Sequence, residues 1–273
     1  MIVKKMIAAA SNIAWTTAED PEAESVLKSL GIKALELAPT RYWPDLSAVA
    51  EDAARAAAEA IQMRGFQIVA FQAVLFGQPE LHLFGPRNGQ ACSEYLAAVC
   101  RLAGWMGVPA IVLGAPKNRL RGPLSSRAAL IQADTFFKRL GEIAEESGTT
   151  VCLEPNPKEY GADFLLTVHD TAALVQAVNS PGIALNFDMG EQAIHRADTP
   201  SLLQQFGHLI GHFHVSEPML GPFNSARPDH GAAAGVLREI GYAGAVSLEM
   251  KTPAGGLPVV CSALEEMMAS YRL

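Results

Sequence analysis

The sequence predicts a single-domain α/β protein whose eight parallel strands close into a (β/α)8 barrel. Short apolar runs alternate eight times with longer helical patterns, which is typical of βαβ units. The 273 residues provide roughly 34 for each strand–helix pair, so residues 1–273 form one domain without room for a second. This alternation of strands and helices is also compatible with an open doubly wound sheet. Such a sheet more often shows a Gly-rich phosphate turn after the first strand, where this chain has Ala9-Ala10-Ser11-Asn12.

The elements of the first half follow this alternation in order. Four apolar runs predict strands at residues 4–10, 31–37, 66–71 and 108–113. Helical patterns predict helices at residues 20–30, 47–64, 93–105 and 126–147. The second of these helices is rich in Ala, the residue with the highest helix propensity.

The second half repeats the same rhythm. Strands are predicted at residues 150–154, 183–188, 209–215 and 245–249. Helices are predicted at residues 167–178, 201–206, 232–240 and 258–271. Eight such units close naturally into a barrel, whose active site would lie at the carboxyl ends of the strands.

Composition and charge exclude several classes of protein. The formal net charge of −7 disfavours nucleic acid and anionic membranes as partners, because both are bound by clustered Lys and Arg. No apolar run approaches the length of about 20 residues that spans a bilayer. The four Cys residues form no C-x-x-C pair, which disfavours a disulfide framework. The apolar run near the N-terminus is too short for a secretory signal, so we expect a cytoplasmic protein.

Four polar residues stand at or near the ends of four successive predicted strands. They are Glu154, Asp188, His214 and Glu249, and each step between them is about one βα unit. In a barrel, residues at equivalent carboxyl ends of strands converge. Three converging carboxylates repel one another, and a divalent cation among them removes most of that cost.

The donor set limits which cation is expected. Three carboxylates and one imidazole suit Mn²⁺ first, with Mg²⁺, Co²⁺ or Zn²⁺ as alternatives. One coordination position would remain open for substrate oxygens. His212 points to the same strand face as His214. It is therefore either a neighbour of the metal ligands or a residue that fills the barrel.

Short motifs in the second half resemble a known family. They read Leu153-Glu154-Pro155-Asn156-Pro157, Phe187-Asp188-Met189-Gly190, His212-Phe213-His214-Val215-Ser216-Glu217, Gly241-Tyr242-Ala243-Gly244 and Ser247-Leu248-Glu249-Met250. Together they resemble the sugar phosphate isomerase/epimerase family of xylose isomerase-like TIM barrels. Ketose 3-epimerases, inosose dehydratases and hydroxypyruvate isomerase belong to this family.

The resemblance implies a metal-dependent isomerase or epimerase that acts on a small sugar or polyol. One divalent metal would be held by Glu154, Asp188, His214 and Glu249. Glu154 and Glu249 would also be catalytic, one removing a proton beside the substrate carbonyl and the other returning a proton through a metal-bound enediolate. Such an enzyme needs a small-molecule partner only, and the apolar helix faces are compatible with a homo-oligomer.

The chain departs from the epimerase pattern at two positions. Epimerases usually carry a His three positions after the Asp ligand, where this chain has Glu191, and an Arg six positions after the His ligand, where it has Leu220. Both family residues normally hold substrate oxygens. The substrate contacts must therefore be sought among other residues near the predicted mouth of the barrel. The candidates are Glu36, Glu191, His212, Glu217, Arg227, His230 and Lys251.

Each of these candidates also has a plain structural explanation. Glu36 could instead form a surface salt bridge, Glu191 could be solvated, and His230 could be an ordinary helix-start residue. Lys251 shares the face of Glu249 only if the last strand continues beyond that residue.

Three other functions remain open at this point. A polyol dehydratase could use the same metal site, because only the fate of the enediolate differs. A barrel that has lost catalysis and binds a ligand or partner is compatible with the missing His and Arg. An apurinic-site endonuclease-like DNA repair enzyme is disfavoured, because that family uses many His ligands and DNA would be repelled by the net charge.

Overall fold

The computed structural model describes residues 5–223 and 229–273 and shows a closed barrel of eight parallel strands. Each strand pairs with the next one in sequence, and the last pairs with the first. The predicted (β/α)8 barrel is therefore confirmed. The strands are β1 (Ile7–Ser11), β2 (Ala34–Leu37), β3 (Gln67–Phe71), β4 (Ala110–Leu113), β5 (Thr150–Leu153), β6 (Ile183–Asp188), β7 (Ile210–Ser216) and β8 (Ala245–Glu249).

At least one α-helix follows each strand, and the described residues contain nine α-helices. They are α1 (Asp20–Ser29), α2 (Glu51–Met63), α3 (Pro86–Met106), α4 (Ser126–Glu146), α5 (Val168–Val178), α6 (Met189–His195), α7 (Thr199–Phe206), α8 (His230–Glu239) and α9 (Leu257–Tyr271). None of the described helices is long and apolar enough to cross a membrane.

The predicted element boundaries need several corrections. β2 begins at Ala34 rather than residue 31, because Gly31 has a φ of +76° and belongs to the turn that ends α1. The amide of Ile32 donates to the Leu27 carbonyl in the same turn. α3 begins at Pro86 rather than residue 93, since proline is well suited to the first helical position. Lys4, the predicted start of the first strand, lies outside the described residues.

One helix, α6, was not predicted. It begins directly after β6, where the Asp188 carboxylate accepts a hydrogen bond from the amide of Glu191 and so caps the first turn. A helix of seven residues is too short to produce a clear apolar period. The strand-end aspartate is thus also a helix cap.

The main core lies between the barrel and the surrounding helices. Apolar side chains that point outward from the strands, including Phe187 and Phe213, are fully buried. The two rings stack with centroids 5.6 Å apart, and Phe213 also meets Tyr271 of α9. Burying each such side chain contributes roughly 1.5–3 kcal/mol. This outward packing fixes which residues of each strand point into the barrel.

The cysteines provide a simple test of this packing. Cys92, Cys100 and Cys152 are buried, and burial raises the pKa of each thiol to about 12. Cys261 on α9 is only partly buried.

We expect a disulfide reagent at pH 8 to label Cys261 alone in the native protein, and all four thiols after unfolding. The Cys261→Ser variant should then show no rapid labelling. Two or more rapidly labelled native thiols would contradict the packing described here.

Candidate metal centre

The four polar residues lie at the carboxyl ends of β5, β6, β7 and β8. Their outward-pointing neighbours along the strands, such as Leu153 and Phe187, are fully buried against the helices. Because side chains alternate along a strand, this burial turns the polar residues into the barrel. The strand register places Asp188 opposite His214, and Glu249 opposite the residue two positions after His214.

One nitrogen of His214 faces all three carboxylates. The Nδ1 atom lies 3.2 Å from Glu249 Oε2, 3.4 Å from Glu154 Oε2 and 3.8 Å from Asp188 Oδ2. Ligand atoms of Glu154, His214 and Glu249 all lie within 4.8 Å of one another. Three of the four residues therefore converge, and Asp188 lies beside them as the carboxylate most distant from the imidazole.

The other nitrogen of His214 is held by Glu36 of β2. Its Nε2 atom lies 2.9 Å from Glu36 Oε1, and both side chains are completely buried. An ionised carboxylate can only accept, so the hydrogen of the imidazole is on Nε2. In the neutral imidazole the lone pair is then on Nδ1, which faces the carboxylates and lies 3.1 Å from Asn186 Nδ2. Glu36 is thus buried beneath the ligand set and does not form the surface salt bridge considered from the sequence.

His212 lies beside the same carboxylate. Its Nε2 atom is 3.3 Å from Glu36 Oε2, and its ring meets that of His214 edge-on at 5.1 Å between centroids. Only 1% of His212 is exposed, so it fills the barrel below the ligand set. Burial alone would raise the pKa of Glu36, but the two imidazoles outweigh it and lower that pKa well below its usual range.

The Glu154 carboxylate is fixed by two asparagines. Asn156 Nδ2 donates to its Oε1 at 2.8 Å, and Asn186 Nδ2 donates to its Oε2 at 2.9 Å. Arg119, which is 3% exposed, donates to the main-chain carbonyl of Glu154 and to Asn156 Oδ1. Burial lowers the pKa of Arg119 to about 10. The arginine therefore brings a positive charge beneath the acidic cluster.

Asp188 is held from the opposite side. Ser216, two residues after His214 on β7, donates its hydroxyl hydrogen to Asp188 Oδ2. The amide of Glu191 donates to Oδ1 at 2.7 Å. Both carboxylate oxygens thus have fixed directions. Gly190 permits this arrangement, because a Cβ there would lie 2.7 Å from the Glu217 carbonyl oxygen.

A glycine also makes room for Glu154. Gly114 directly follows β4, and a Cβ at this position would lie 2.7 Å from Glu154 Oε1. This distance is shorter than any ordinary carbon–oxygen contact. A side chain at residue 114 would therefore displace the carboxylate from its position beside His214.

The electrostatics of the cluster reveal strong repulsion between its acids. Burial raises the pKa of Asp188 to about 6, and the charge of Glu154 adds to this rise. Burial also raises the pKa of Glu249 to about 7, against the opposing effect of His214. Burial disfavours the charged form of His214, but Glu249 and Glu36 outweigh it and hold its pKa well above the usual value.

A divalent cation fits these residues. Three carboxylates and one imidazole form an oxygen-rich donor set, and further hydrogen bonds hold Glu154, Asp188 and His214 in place. Burial, with some repulsion from the neighbouring carboxylates, raises the pKa values of Asp188 and Glu249, and two positive charges would offset both effects. The residues that would hold the cation are Glu154, Asp188, His214 and Glu249.

The remaining candidates lie outside this ligand set. Glu191 is buried rather than solvated, and its Oε2 accepts from Gln192 Nε2 at 2.9 Å. Burial and the charge of Asp188 raise the pKa of Glu191 well above its usual value. Lys251 is exposed, because β8 ends at Glu249 and does not continue along the same face. Arg227 lies outside the described residues.

Glu217 and His230 form a separate buried pair. His230 Nε2 lies 3.6 Å from Glu217 Oε1, and its Nδ1 lies 2.8 Å from the Tyr271 hydroxyl. The ring of Phe223 stacks on the imidazole at 4.5 Å between centroids. His230 is the first residue of α8, as a helix-start residue would be, but it is also 98% buried within this group.

Four supporting residues were not singled out from the sequence. Asn186 and Ser216 could have been found, because each lies two positions from a predicted ligand on the same strand face. Asn156 lies two positions after Glu154 in a motif that was noted for its resemblance alone. Arg119 lies in a loop with no periodic pattern, and no local signal marks it.

Comparison with known families agrees with this geometry. The family model described as xylose isomerase-like TIM barrel matches residues 25–269. The chain therefore belongs to this family, and the resemblance seen in the second-half motifs is confirmed. No curated protein sequence matches the chain.

Several solved structures share the fold. A D-psicose 3-epimerase determined in the presence of D-fructose is 16% identical, with a TM-score of 0.76 over 98% of this chain and 97% of that chain. The 3-keto-D-glucoside 4-epimerase YcjR from E. coli is 17% identical, with a TM-score of 0.77 over 97% and 100%. An L-ribulose 3-epimerase is 18% identical, with a TM-score of 0.75 over 98% and 86%. Identities this low establish the shared fold alone.

The contact between Glu36 and His214 leads to a first prediction about the centre. In the Glu36→Gln variant the side chain keeps its shape but loses the charge that holds the imidazole hydrogen on Nε2. We expect the affinity for Mn²⁺, measured by calorimetric titration, to fall about 10- to 100-fold. The exposed Glu142→Gln variant should retain the original affinity and is the matched control. An unchanged affinity in a folded Glu36→Gln protein would show that Glu36 does not orient the ligand.

Proposed function

We propose that this protein is a divalent-metal-dependent isomerase or epimerase of a small sugar or polyol. The observation that carries the proposal is the position of two carboxylates, Glu154 and Glu249, beside one imidazole nitrogen. They lie 3.4 and 3.2 Å from His214 Nδ1 and come from strands β5 and β8. The similar folds of a psicose epimerase and a ribulose epimerase support the same class of reaction.

Glu154, Asp188, His214 and Glu249 would hold the cation, and Mn²⁺ is our first choice for it. When bound, the cation polarises substrate oxygens and stabilises the negative charge that develops on them. Neighbouring side chains hold the ligands of the cation in their orientations. Glu36 fixes His214, Ser216 fixes Asp188, and the asparagines at positions 156 and 186 fix Glu154.

The two glutamates would move the proton. A carboxylate beside a carbon next to a carbonyl can remove its hydrogen, and a second carboxylate can deliver a hydrogen to the opposite face. Glu154 and Glu249 approach the site from different strands, so they can act on opposite sides of one substrate.

The identity of the substrate rests on positions where the chain departs from the epimerase pattern. Glu191 and Leu220 occupy the places of the His and Arg that hold substrate oxygens in epimerases. We propose Glu191, Glu217 and His230 as substitutes for these contacts. Glu36 and His212 act on His214 from below, and we assign them a positioning role.

The net charge and the free cysteines support a proposal about partners and cellular location. The net charge of −7 disfavours nucleic acid as a partner. All four cysteines are free, which is compatible with a reducing compartment, and we propose the cytoplasm. A small-molecule sugar or polyol is then the only partner that the reaction requires.

Substitution of either glutamate tests the proposed reaction. The Mn²⁺-loaded protein is assayed in D₂O with a panel of ketoses and polyols, and NMR follows both product formation and deuterium incorporation. We expect Glu154→Gln and Glu249→Gln each to lower turnover by at least about 10²-fold, because each loses one proton-transfer group. Glu142→Gln serves as the control. Full activity in Glu154→Gln would refute its role, and loss of water from a polyol would reveal a dehydratase instead.

Removal of the metal should change stability as well as activity. A cation that binds only the folded state at 100 times its Kd stabilises that state by about 2.7 kcal/mol. We expect Mn²⁺ to raise the melting temperature of the chelator-treated protein by about 5–10 °C, measured by calorimetry. The Asp188→Asn variant, which lacks one ligand charge, should show a smaller rise. An identical rise in both proteins would argue against binding at this centre.

A further inference from the structure

A large cavity lies at the mouth of the barrel between the loops that follow β3 and β4. It has a volume of about 960 Å³. Small-molecule sites commonly measure roughly 300–1,000 Å³, so this one is at the upper end of that range. It offers more space than a single sugar ring requires. The proposed reaction does not by itself explain this additional space.

The cavity adjoins the candidate metal centre. Gly114 lines the cavity, and a Cβ on this residue would lie 2.7 Å from Glu154 Oε1. No side chain at position 114 therefore separates the cavity from the carboxylate. Gly114 is thus common to the wall of the cavity and to the surroundings of Glu154.

The walls of the cavity are mainly apolar. Leu75, Leu113 and Pro116 contribute to the lining, together with Phe76 and Leu120 at the outer edge. Phe76 is 76% exposed and Leu120 is 39% exposed. Large apolar side chains held in water beside a binding site favour a ligand that covers them.

The amide side chains in the lining are already occupied by the protein. Asn118 Nδ2 donates to the main-chain oxygens of Gln78 and Leu81, each at 2.8 Å. Gln78 Nε2 donates to the Pro44 oxygen at 3.1 Å. The Asn118 amide thus joins the loops after β3 and β4, and the Gln78 amide joins the loop after β3 to the loop after β2. The other polar side chains of the lining are His82 and Lys117, and both are exposed to solvent. A hydroxyl-rich ring placed here would therefore find few polar partners to replace its hydrogen bonds to water.

We infer that the substrate carries an apolar substituent that occupies this cavity while its sugar or polyol part lies at Glu154. An aryl group joined to a sugar is the chemistry that fits best, since a flat ring can cover Phe76 and Leu120 together. This inference rests on the proposed function for the position of the sugar part. The apolar preference itself rests on the cavity.

The inference is tested by comparing phenyl β-D-glucopyranoside with D-glucose as ligands of the Mn²⁺-loaded protein. We expect the phenyl compound to bind about tenfold more tightly in calorimetric titrations. In saturation-transfer NMR, its ring protons should receive the strongest signals. Equal affinity for the two sugars, or a signal confined to the sugar protons, would overturn the inference.

Surface variants locate the binding of the phenyl ring. Phe76→Ser and Leu120→Ser should each remove most of the tenfold preference and leave glucose binding unchanged. Met63→Ser is the matched control, because Met63 is 83% exposed on α2, away from the cavity lining. A preference that survives in both cavity variants would place the ring elsewhere and contradict the inference.

The binding measurements separate this inference from the proposed function. If no sugar is turned over but the phenyl preference depends on Phe76, the proposed reaction fails and the cavity assignment holds. If ketoses are turned over but the phenyl group gives no advantage, the reaction holds and the cavity assignment fails.

Discussion

The centre depends on one buried imidazole that is shared between acids on both of its edges. Glu36 binds the Nε2 side of His214, and Glu154, Asp188 and Glu249 face the Nδ1 side. Four carboxylates around one ring are costly in a buried place unless positive charge is supplied. The neighbouring asparagines, serine and arginine restrict how these acids can move apart, and the cation that we propose would supply the missing positive charge.

Much of the fold could be predicted because its signals are local and repeated. Apolar runs alternate with helical patterns across the whole chain, and each unit obeys the same rule of outward apolar packing. The four residues 154, 188, 214 and 249 could be found because acids and a histidine are exceptional on such strands. Their convergence then follows from closure of the barrel, which places equivalent strand ends together.

The remaining features depend on contacts between distant segments. Arg119 reaches Glu154 and Asn156 from another loop, and nothing in its own neighbourhood marks this. The pairing of Glu36 with His214 joins residues that are 178 positions apart. Lys251 was considered on the condition that the last strand continues, but β8 ends at Glu249. Local patterns specify strand faces, whereas loop paths and strand ends are decided by tertiary packing.

The double role of Asp188 connects the centre to the outer layer of the fold. One of its oxygens accepts from the Glu191 amide at the start of α6, and the other accepts from Ser216 on the neighbouring strand. A change in the direction of this carboxylate would release the first turn of the short helix. Binding of the proposed cation and the ordering of α6 would therefore be linked thermodynamically, because a carboxylate that turns away from the Glu191 amide no longer caps this helix.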